Sequence, residues 1–347
     1  MTDVSAPQSP PARSPARRVE VTLDAAGVRL DKFLGKALPE VPPSHVFRLI
    51  RKGEVRVNGK RAAGSLRLQA GDIVRVPPVR VQPPRAADDA TPPTRRVPPR
   101  LIEQVRSAVL HRDDALLVVD KPAGLAVHGG SGVSFGVIEA LRAAYPDDRL
   151  ELVHRLDRDT SGCLLVARKP SVLRTLHALL REHAFEKRYL ALVVGAWDLG
   201  KKRIDMPLRT DLRVGGERTV KAHASGKSAV SDFRPVQFFG ARASLLEVSI
   251  HTGRTHQIRV HAAYAGHPVA GDAKYGDAEA NAALAEFGLA RMFLHASSVS
   301  FVWPQSGTEF SVNAPLPADL AAVIDRLAAA PVRGRRGPRA ARPPRAR

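Results

Sequence analysis

Cysteine is nearly absent from this 347-residue chain, which contains only Cys163. A single cysteine excludes an internal disulfide framework and any metal site built from several cysteines. Long apolar runs are also missing, because no stretch reaches the roughly 18 apolar residues of a membrane-spanning helix. The Pro- and Ser-rich N-terminus lacks the apolar core of a secretory signal. We therefore expect a protein of the cytoplasm that does not enter membranes.

Acidic residues are also few in comparison with basic ones. The chain has 34 Asp and Glu against 54 Lys and Arg, which gives a net charge of +20. Such an excess of positive charge points to a polyanionic partner, and the absence of a membrane signal favours nucleic acid. The length is sufficient for two domains, and the hydrophobic content of 44% is ordinary for globular proteins.

Composition divides the chain into five segments. Residues 1–18 and 331–347 are rich in Pro and Arg without apolar periodicity, and we predict that both are basic disordered tails. Residues 81–100 carry six prolines, which predict an extended Pro- and Arg-rich linker. The remaining segments are a small N-terminal module at 19–80 and a larger domain at 101–330.

Apolar spacing in the N-terminal module predicts two helices. The first starts near Val28, and the second covers 45–52 with Ser44 as its N-cap. Asn58-Gly59 predicts a tight hairpin turn. We expect an RNA-binding surface formed by Arg48, Arg51, Lys52, Arg56, Lys60 and Arg61. The alternative is a charged face that is only solvated.

Short apolar runs and longer periodic stretches alternate in the larger domain. The runs predict strands and the periodic stretches predict helices. The expected strands are 116–119, 163–167, 186–195 and 244–250, with antiparallel hairpins over 200–250, and the expected helices are 137–145, 171–183 and 318–329. Tyr189 alternates with Ala191 and Val193, so the three side chains should share one face of the sheet.

The most polar stretch of the chain is Val153–Gly162, which holds a His, two Arg, two carboxylates and two hydroxyls. A predicted buried strand follows directly, so a rigid sheet would hold these side chains in a reactive loop. The simplest alternative is a solvated ion-pair turn, worth about 0 to 1 kcal/mol.

A second polar stretch runs from His251 to His261. Arg254, Ile258 and His261 lie at helical spacing, so one helix face should carry all three. His256 and His261 are five residues apart, which does not match the His-x-x-x-His zinc pattern, and we expect no metal. The glycines at 129–132 do not fit a nucleotide-binding P-loop.

The sequence His-Arg-Leu-Asp-x-x-Thr-Ser-Gly at 154–162 resembles the signature of the RluA-type pseudouridine synthases, and the stretch 252–259 resembles a second signature of that family. The N-terminal module resembles the S-four-type RNA-binding module. Together the resemblances cover nearly all of 20–317. They imply an α+β fold whose catalytic domain has a mixed, mostly antiparallel sheet flanked by helices. They also imply an isomerase that detaches uracil, turns it and rejoins it through carbon, without a cofactor or metal.

The resemblance also implies the roles of the site residues. Asp157 would be the catalytic nucleophile, and Arg254 would pair with it and keep it ionised. Tyr189 would stack on the flipped base, which is worth about 1 to 3 kcal/mol, and is a possible base for the final proton removal. Arg155 is the candidate to fill the stack that the uridine leaves. The expected pocket residues are His154, Arg155, Leu156, Thr160 and Ile258.

The implied substrate is large-subunit (23S) ribosomal RNA, bound by a monomer without an obligate protein partner. Two other classes stay open. One is a noncatalytic RNA-binding assembly factor, in which Asp157 and Arg254 form only a structural ion pair. The other is a hydrolase that uses Asp157 or Ser161 with His154, although Ser161 lacks the Gly-x-Ser-x-Gly elbow.

Overall fold

The computed structural model describes residues 16–22, 25–38, 41, 43–78, 96–130, 134–212 and 218–331. The chain divides into two compact units between Thr94 and Arg95. Most of the predicted tails and linker lies outside the described residues. Two predicted boundaries differ from the structure. A strand begins at Arg17, inside the predicted tail 1–18, and a helix begins at Pro99, inside the predicted linker 81–100.

The N-terminal unit packs two helices on a small sheet. Its elements are β1 (Arg17–Glu20), α1 (Leu30–Ala37), α2 (Pro43–Lys52), β2 (Arg56–Val57) and β3 (Ile73–Val76). The strands lie in the order β1-β3-β2, and both pairings are antiparallel. Leu30, Leu34 and Leu49 fill its core, as their helical spacing predicts. The prediction that Ser44 caps the second helix is wrong, because α2 begins at Pro43, and proline suits a first helical turn.

The predicted turn at Asn58-Gly59 is confirmed. Both residues have positive φ, 50° and 78°, as a two-residue type I′ turn requires. The backbone N–H groups of Val57 and Lys60 donate to each other's carbonyl at 3.0 and 2.9 Å. The six basic residues proposed for RNA binding are all exposed, namely Arg48, Arg51, Lys52, Arg56, Lys60 and Arg61. Their role stays a prediction.

The larger unit is built on one mixed sheet. The described helices are α3 (Pro99–Ser107), α4 (Val137–Ala144), α5 (Pro170–Arg181), α6 (Gln257–Tyr264), α7 (Ala278–Ala285) and α8 (Ala318–Ala329). The described strands are β4 (Val109–Arg112), β5 (Leu116–Lys121), β6 (Glu151–Leu152), β7 (Ser161–Ala167), β8 (Glu186–Val194), β9 (Lys202–Asp205), β10 (Leu208–Leu212), β11 (Arg218–Ala222), β12 (Val230–Phe239), β13 (Ala243–Ile250), β14 (Leu294–Val302) and β15 (Glu309–Asn313).

The strand order of this sheet is β4-β5-β7-β14-β8-β13-β12-β9, with β15 added at β14 and β6 at β7, while β10 and β11 form a separate hairpin. Among the strands described, only β7 and β14 pair in parallel. The predicted mixed, mostly antiparallel sheet flanked by helices is therefore confirmed. None of the helices in the described ranges has the length and apolarity needed to span a bilayer.

The predicted elements are found with small shifts at their ends. The helix at Ala318–Ala329 has the expected bounds, and α5 begins one residue earlier than expected. Every residue of β7 is buried, in agreement with the apolar run that predicts it. Tyr189, Ala191 and Val193 join the same hydrophobic core, so their shared sheet face is also confirmed.

Gly162 allows β7 and β14 to approach each other closely. Its φ is 107°, and a Cβ atom there would overlap the carbonyl oxygen of Ala296. The parallel contact consists of His295 opposite Ser161 and Ala296 opposite Gly162. A side chain at position 162 would therefore push β14 away from β7.

Candidate active site

A cavity of about 750 Å³ lies above the centre of the larger sheet. Its walls come from the loop 153–160 before β7, from β8, from the segment that follows β13 and from α6. The volume is within the usual range for small-molecule sites. All eight residues predicted for catalysis or the pocket line this cavity, namely His154, Arg155, Leu156, Asp157, Thr160, Tyr189, Arg254 and Ile258.

The loop before β7 presents Asp157 at the cavity while its neighbours fix the loop in the core. Leu156 is buried on one side of Asp157 and Thr160 on the other, and the Thr160 N–H donates to the Asp157 carbonyl at 3.2 Å. The Asp157 side chain keeps 23% of its exposure, so its carboxylate remains accessible. Arg155 is exposed at the rim of the same cavity.

The guanidinium that pairs with Asp157 belongs to Arg259. Its Nη1 donates to Asp157 Oδ2 at 3.3 Å. Its Nε and Nη2 donate to Asp272 Oδ2 and Oδ1 at 2.7 and 2.8 Å. Arg259 therefore bridges the accessible carboxylate of Asp157 and the fully buried carboxylate of Asp272. A bidentate pair of this kind fixes the direction in which the remaining nitrogen points.

The prediction that Arg254 pairs with Asp157 is wrong in this structure. Helix α6 begins only at Gln257, and His256 before it has a left-handed backbone with φ of 54°. Arg254 is therefore outside the helix and does not share a face with Ile258. Its Nε donates to the Ser228 carbonyl at 2.9 Å instead.

Asp272 is a residue that sequence reasoning missed, and it anchors Arg259. Burial raises the pKa of Asp272, but the hydrogen bonds and charge of Arg259 outweigh burial and hold that pKa below its ordinary value. The backbone N–H groups of Lys274 and Tyr275 donate to its Oδ1 at 2.8 and 3.1 Å. The sequence signal for this site is Gly-Asp-x-Lys-Tyr-Gly at 271–276.

Tyr189 offers an aromatic wall beside Asp157. It is 7% exposed and lies on β8, with Ile258 from α6 also lining the cavity. Burial and then the charge of Asp157 raise the pKa of Tyr189 above its ordinary value of 10. The phenol is therefore protonated at neutral pH. This state suits stacking on a base, and the role of Tyr189 as a base stays a prediction.

His256 lies next to the same carboxylate. Its Nε2 is 3.9 Å from Asp157 Oδ2, and its Nδ1 is 2.8 Å from the Tyr275 hydroxyl. That hydroxyl accepts the N–H of Val220 on β11 at 3.0 Å. Burial lowers the pKa of His256, so its ring is mainly neutral at pH 7. These contacts join Asp157 to the β10–β11 hairpin through one imidazole.

The positions of His154 and Ser161 do not support the hydrolase alternative. His154 Nε2 accepts the N–H of Leu165 at 3.1 Å, and burial lowers its pKa to about 4, which leaves a neutral loop anchor. Ser161 is buried beneath the loop and bonds His295 Nδ1 at 3.0 Å. Ser161 is therefore hidden from the cavity and is not activated by His154. Within the described ranges, no three His, Cys, Asp or Glu side chains come together as metal ligands.

Lys121 is a second residue that sequence reasoning missed. It is fully buried, and its Nζ donates to the carbonyls of Pro122, Leu125 and Arg158 at 2.8, 2.9 and 2.9 Å. Arg158 directly follows Asp157, so this side chain supports the loop that carries Asp157. Burial lowers the pKa of Lys121 from 10.5 to about 7.

Replacing Lys121 with Met should lower the free energy of unfolding at pH 7 by about 1 to 3 kcal/mol, because three buried carbonyls lose their donor. The deficit should widen as pH rises from 7 to 10. In that window the unfolded chain binds more protons than the folded one, so wild-type stability gains with pH and the variant lacks this gain. Urea unfolding at pH 7 and 9 measures both effects. The exposed Lys201, changed to Met, is the control, and an unchanged deficit at pH 9 would contradict the assignment.

Comparison with known proteins agrees with both units. The family model described as RNA pseudouridylate synthase matches residues 115–264, and the S4 domain model matches residues 28–74. The ribosomal large subunit pseudouridine synthase C of Vibrio cholerae is 45% identical over 316 residues, which are 91% of this chain and 98% of that protein. The protein of the same name from Escherichia coli K12 is 48% identical over 312 residues, covering 89% of this chain and 96% of its own length.

Solved structures share the fold of the larger unit. Human RNA pseudouridylate synthase domain containing 4 aligns with a TM-score of 0.55 at 23% identity, over 66% of this chain and 96% of that one. Human RNA pseudouridylate synthase domain containing 1 aligns with a TM-score of 0.51 at 26% identity, over 65% of this chain and 96% of that one.

Proposed function

Because this chain belongs to the RNA pseudouridylate synthase family, whose activity is an isomerisation, we propose that it converts uridines of large-subunit ribosomal RNA to pseudouridine with Asp157 as its nucleophile. The observation that carries the proposal is Asp157 in the cavity, paired with Arg259, which the buried Asp272 anchors. The names and high coverage of the bacterial relatives support ribosomal RNA as the substrate, and so does the N-terminal unit, which matches an S4 domain.

The proposed chemistry follows from which groups face the cavity. The bond from ribose C1′ to uracil N1 breaks, the uracil turns, and C1′ bonds to C5 instead. C5 then loses a proton and N1 gains one, so atoms and charge balance. Asp157 supplies the nucleophilic carboxylate, and Arg259 keeps it ionised and aimed. Tyr189 and Ile258 hold the detached base by stacking and apolar contact.

A uridine within folded RNA has to leave its stack to reach Asp157. Arg155 is exposed at the rim, directly before the Leu156-Asp157 pair. Its guanidinium is planar and stacks well on bases, so it is our candidate to fill the space that the uridine leaves. We also propose that the protein acts as a monomer and in the cytoplasm.

The direct test incubates the purified protein with unmodified large-subunit ribosomal RNA and maps pseudouridine by carbodiimide treatment and primer extension. We expect new stops at discrete uridines that are absent without protein. Transfer RNA is tested in parallel. Stops on transfer RNA alone would contradict the ribosomal substrate. No stops on either RNA would favour the assembly-factor alternative.

Removal of residues 1–94, the N-terminal unit, should weaken binding to large-subunit ribosomal RNA roughly tenfold or more, because its exposed cations no longer reach phosphates. The logarithm of the binding constant should also fall less steeply with salt. Conversion of a short stem-loop around a mapped uridine should persist, since the cavity lies wholly in the larger unit. Filter binding at several salt concentrations measures the first effect. Loss of stem-loop conversion would contradict this division of labour.

A further inference from the structure

A second groove of about 440 Å³ adjoins the active-site cavity. We call it the hairpin groove. Its lining comes from the β10–β11 hairpin, from the turn 225–227 and from the segment 253–255. The backbone of Gly226 is packed against Leu208, where any Cβ would overlap the main chain. The turn is therefore held close to β10, and the groove is a built feature of the hairpin.

The side chains that line the hairpin groove are cationic, hydroxylic or apolar, and none is acidic. Arg209 is one of the cations, but its Nε and Nη2 already pair with Asp211 at 2.9 and 3.3 Å. The other two cations are Lys227 and Arg254. Across the part of the chain that the structure describes, neither comes within 4 Å of a carboxylate. Two uncompensated cations beside hydroxyls fit an anionic ligand.

Arg254 stands where the groove and the cavity meet. Gly253, Arg254 and Thr255 line both spaces, so the two are continuous along this segment. The position of Arg254 is fixed at two points. Its backbone N–H donates to Gln257 Oε1 at 3.0 Å, and its Nε donates to the Ser228 carbonyl at 2.9 Å. Its outer nitrogens are thus held at the boundary between the two spaces.

We propose that the hairpin groove binds the sugar–phosphate backbone next to the target uridine, with Arg254 and Lys227 contacting its phosphates. This inference rests on the proposed function and identifies how the substrate strand leaves the cavity. A uridine that enters the cavity carries a phosphate on each side, and one of them has to pass the shared wall at 253–255. The groove provides both the charge and the room for that side of the strand.

The test uses the full-length protein and a synthetic stem-loop around a mapped uridine. Arg254→Gln and Lys227→Gln should each lower kcat/KM about 10-fold, mainly through KM. The slope of the logarithm of kcat/KM against the logarithm of salt should become shallower by about 0.7 to 0.9 for each lost phosphate contact. Arg254→Lys should recover part of the loss. The exposed Lys201→Gln, which lines neither space, is the matched control.

A second arm removes the charge from the RNA. A single neutral methylphosphonate linkage is placed on the 5′ or the 3′ side of the target uridine. At one of the two positions, the methylphosphonate should lower kcat/KM of the wild type about 10-fold. The same linkage should have little further effect on a protein that carries both Arg254→Gln and Lys227→Gln. The groove proposal would be overturned if the linkage, at both positions, lowered kcat/KM of the double variant as much as that of the wild type. It would also be overturned if Arg254→Gln and Lys227→Gln had the same kcat/KM as Lys201→Gln. A wild type that converts no RNA would instead refute the proposed function, so the two failures are distinguishable.

Discussion

Replacement of Asp157 by Asn should abolish pseudouridine formation, with turnover on a mapped stem-loop lowered on the order of 10⁴-fold or more. The amide has nearly the shape of the carboxylate, so the cavity and the Arg259–Asp272 pair should remain. It lacks the negative charge that makes the carboxylate a nucleophile. RNA binding should change only a few-fold, because the phosphate contacts that we propose lie in the hairpin groove and the N-terminal unit. Single-turnover conversion and filter binding measure the two quantities separately.

The matched control for this substitution is Asp159→Asn. Asp159 lies two residues further along the same loop and is exposed, and it does not line the cavity. Its loss changes the charge of the loop by the same amount without touching the proposed nucleophile. Equal losses in both variants would show that loop charge, rather than the Asp157 carboxylate, carries the activity. Full activity of Asp157→Asn would reject the proposed mechanism.

Replacement of Arg259 by Met should lower the free energy of unfolding by about 3 to 5 kcal/mol and also abolish activity. Breaking a buried ion pair on one side leaves the other charge buried without compensation. Here that charge belongs to Asp272, whose side chain is fully buried. Asp157 loses its partner in the same step. The stability and activity of Arg259→Lys should lie between those of the wild type and Arg259→Met. An ammonium keeps the charge but cannot hold both carboxylates as the planar guanidinium does.

The pH dependence of this deficit provides an independent check. In the wild type the pKa of Asp272 lies below its ordinary value, so its stabilising contribution is complete above about pH 4 and is lost as pH falls through the folded-state pKa. In Arg259→Met, burial acts on Asp272 with only the backbone N–H groups of Lys274 and Tyr275 opposing it, so that pKa should rise. The stability gap between the two proteins should then be full at pH 7 and shrink towards pH 4. Urea unfolding at pH 7 and 5 measures it, with exposed Arg254→Met as the control. A gap that is constant with pH would contradict the role of Asp272.

The motif resemblance, together with local strand signals, was sufficient to find the residues that line the cavity. Asp157 comes shortly before a predicted strand and Tyr189 lies within one, and strands fix where such side chains point. Arg254 shows where this reasoning ends. Arg254 and Ile258 are four residues apart, which predicts one shared helix face. His256 has a left-handed backbone, however, and α6 begins only after it, at Gln257. Arg254 is therefore outside the helix, and the contact with Asp157 is made by Arg259.

Residues that act across the fold were beyond the reach of sequence patterns. Lys121 reaches the Arg158 carbonyl from 37 positions away, and Arg259 reaches Asp157 from 102 positions away. Nothing in the local pattern around either residue indicates its partner. Their contacts depend on how β5, β7 and α6 are brought together by the sheet.

The position of β14 in the sheet has a consequence for synthesis on the ribosome. Asp157 lies in the loop before β7, Tyr189 lies in β8, and β14 is the strand between β7 and β8. A nascent chain that ends before Leu294 already contains Asp157, Tyr189 and Arg259, yet the two halves of its sheet have no strand to join them. Catalytic competence should therefore arise late and abruptly in translation. It requires residues 294–302 to leave the exit tunnel, so that Ala296 can pair with Gly162.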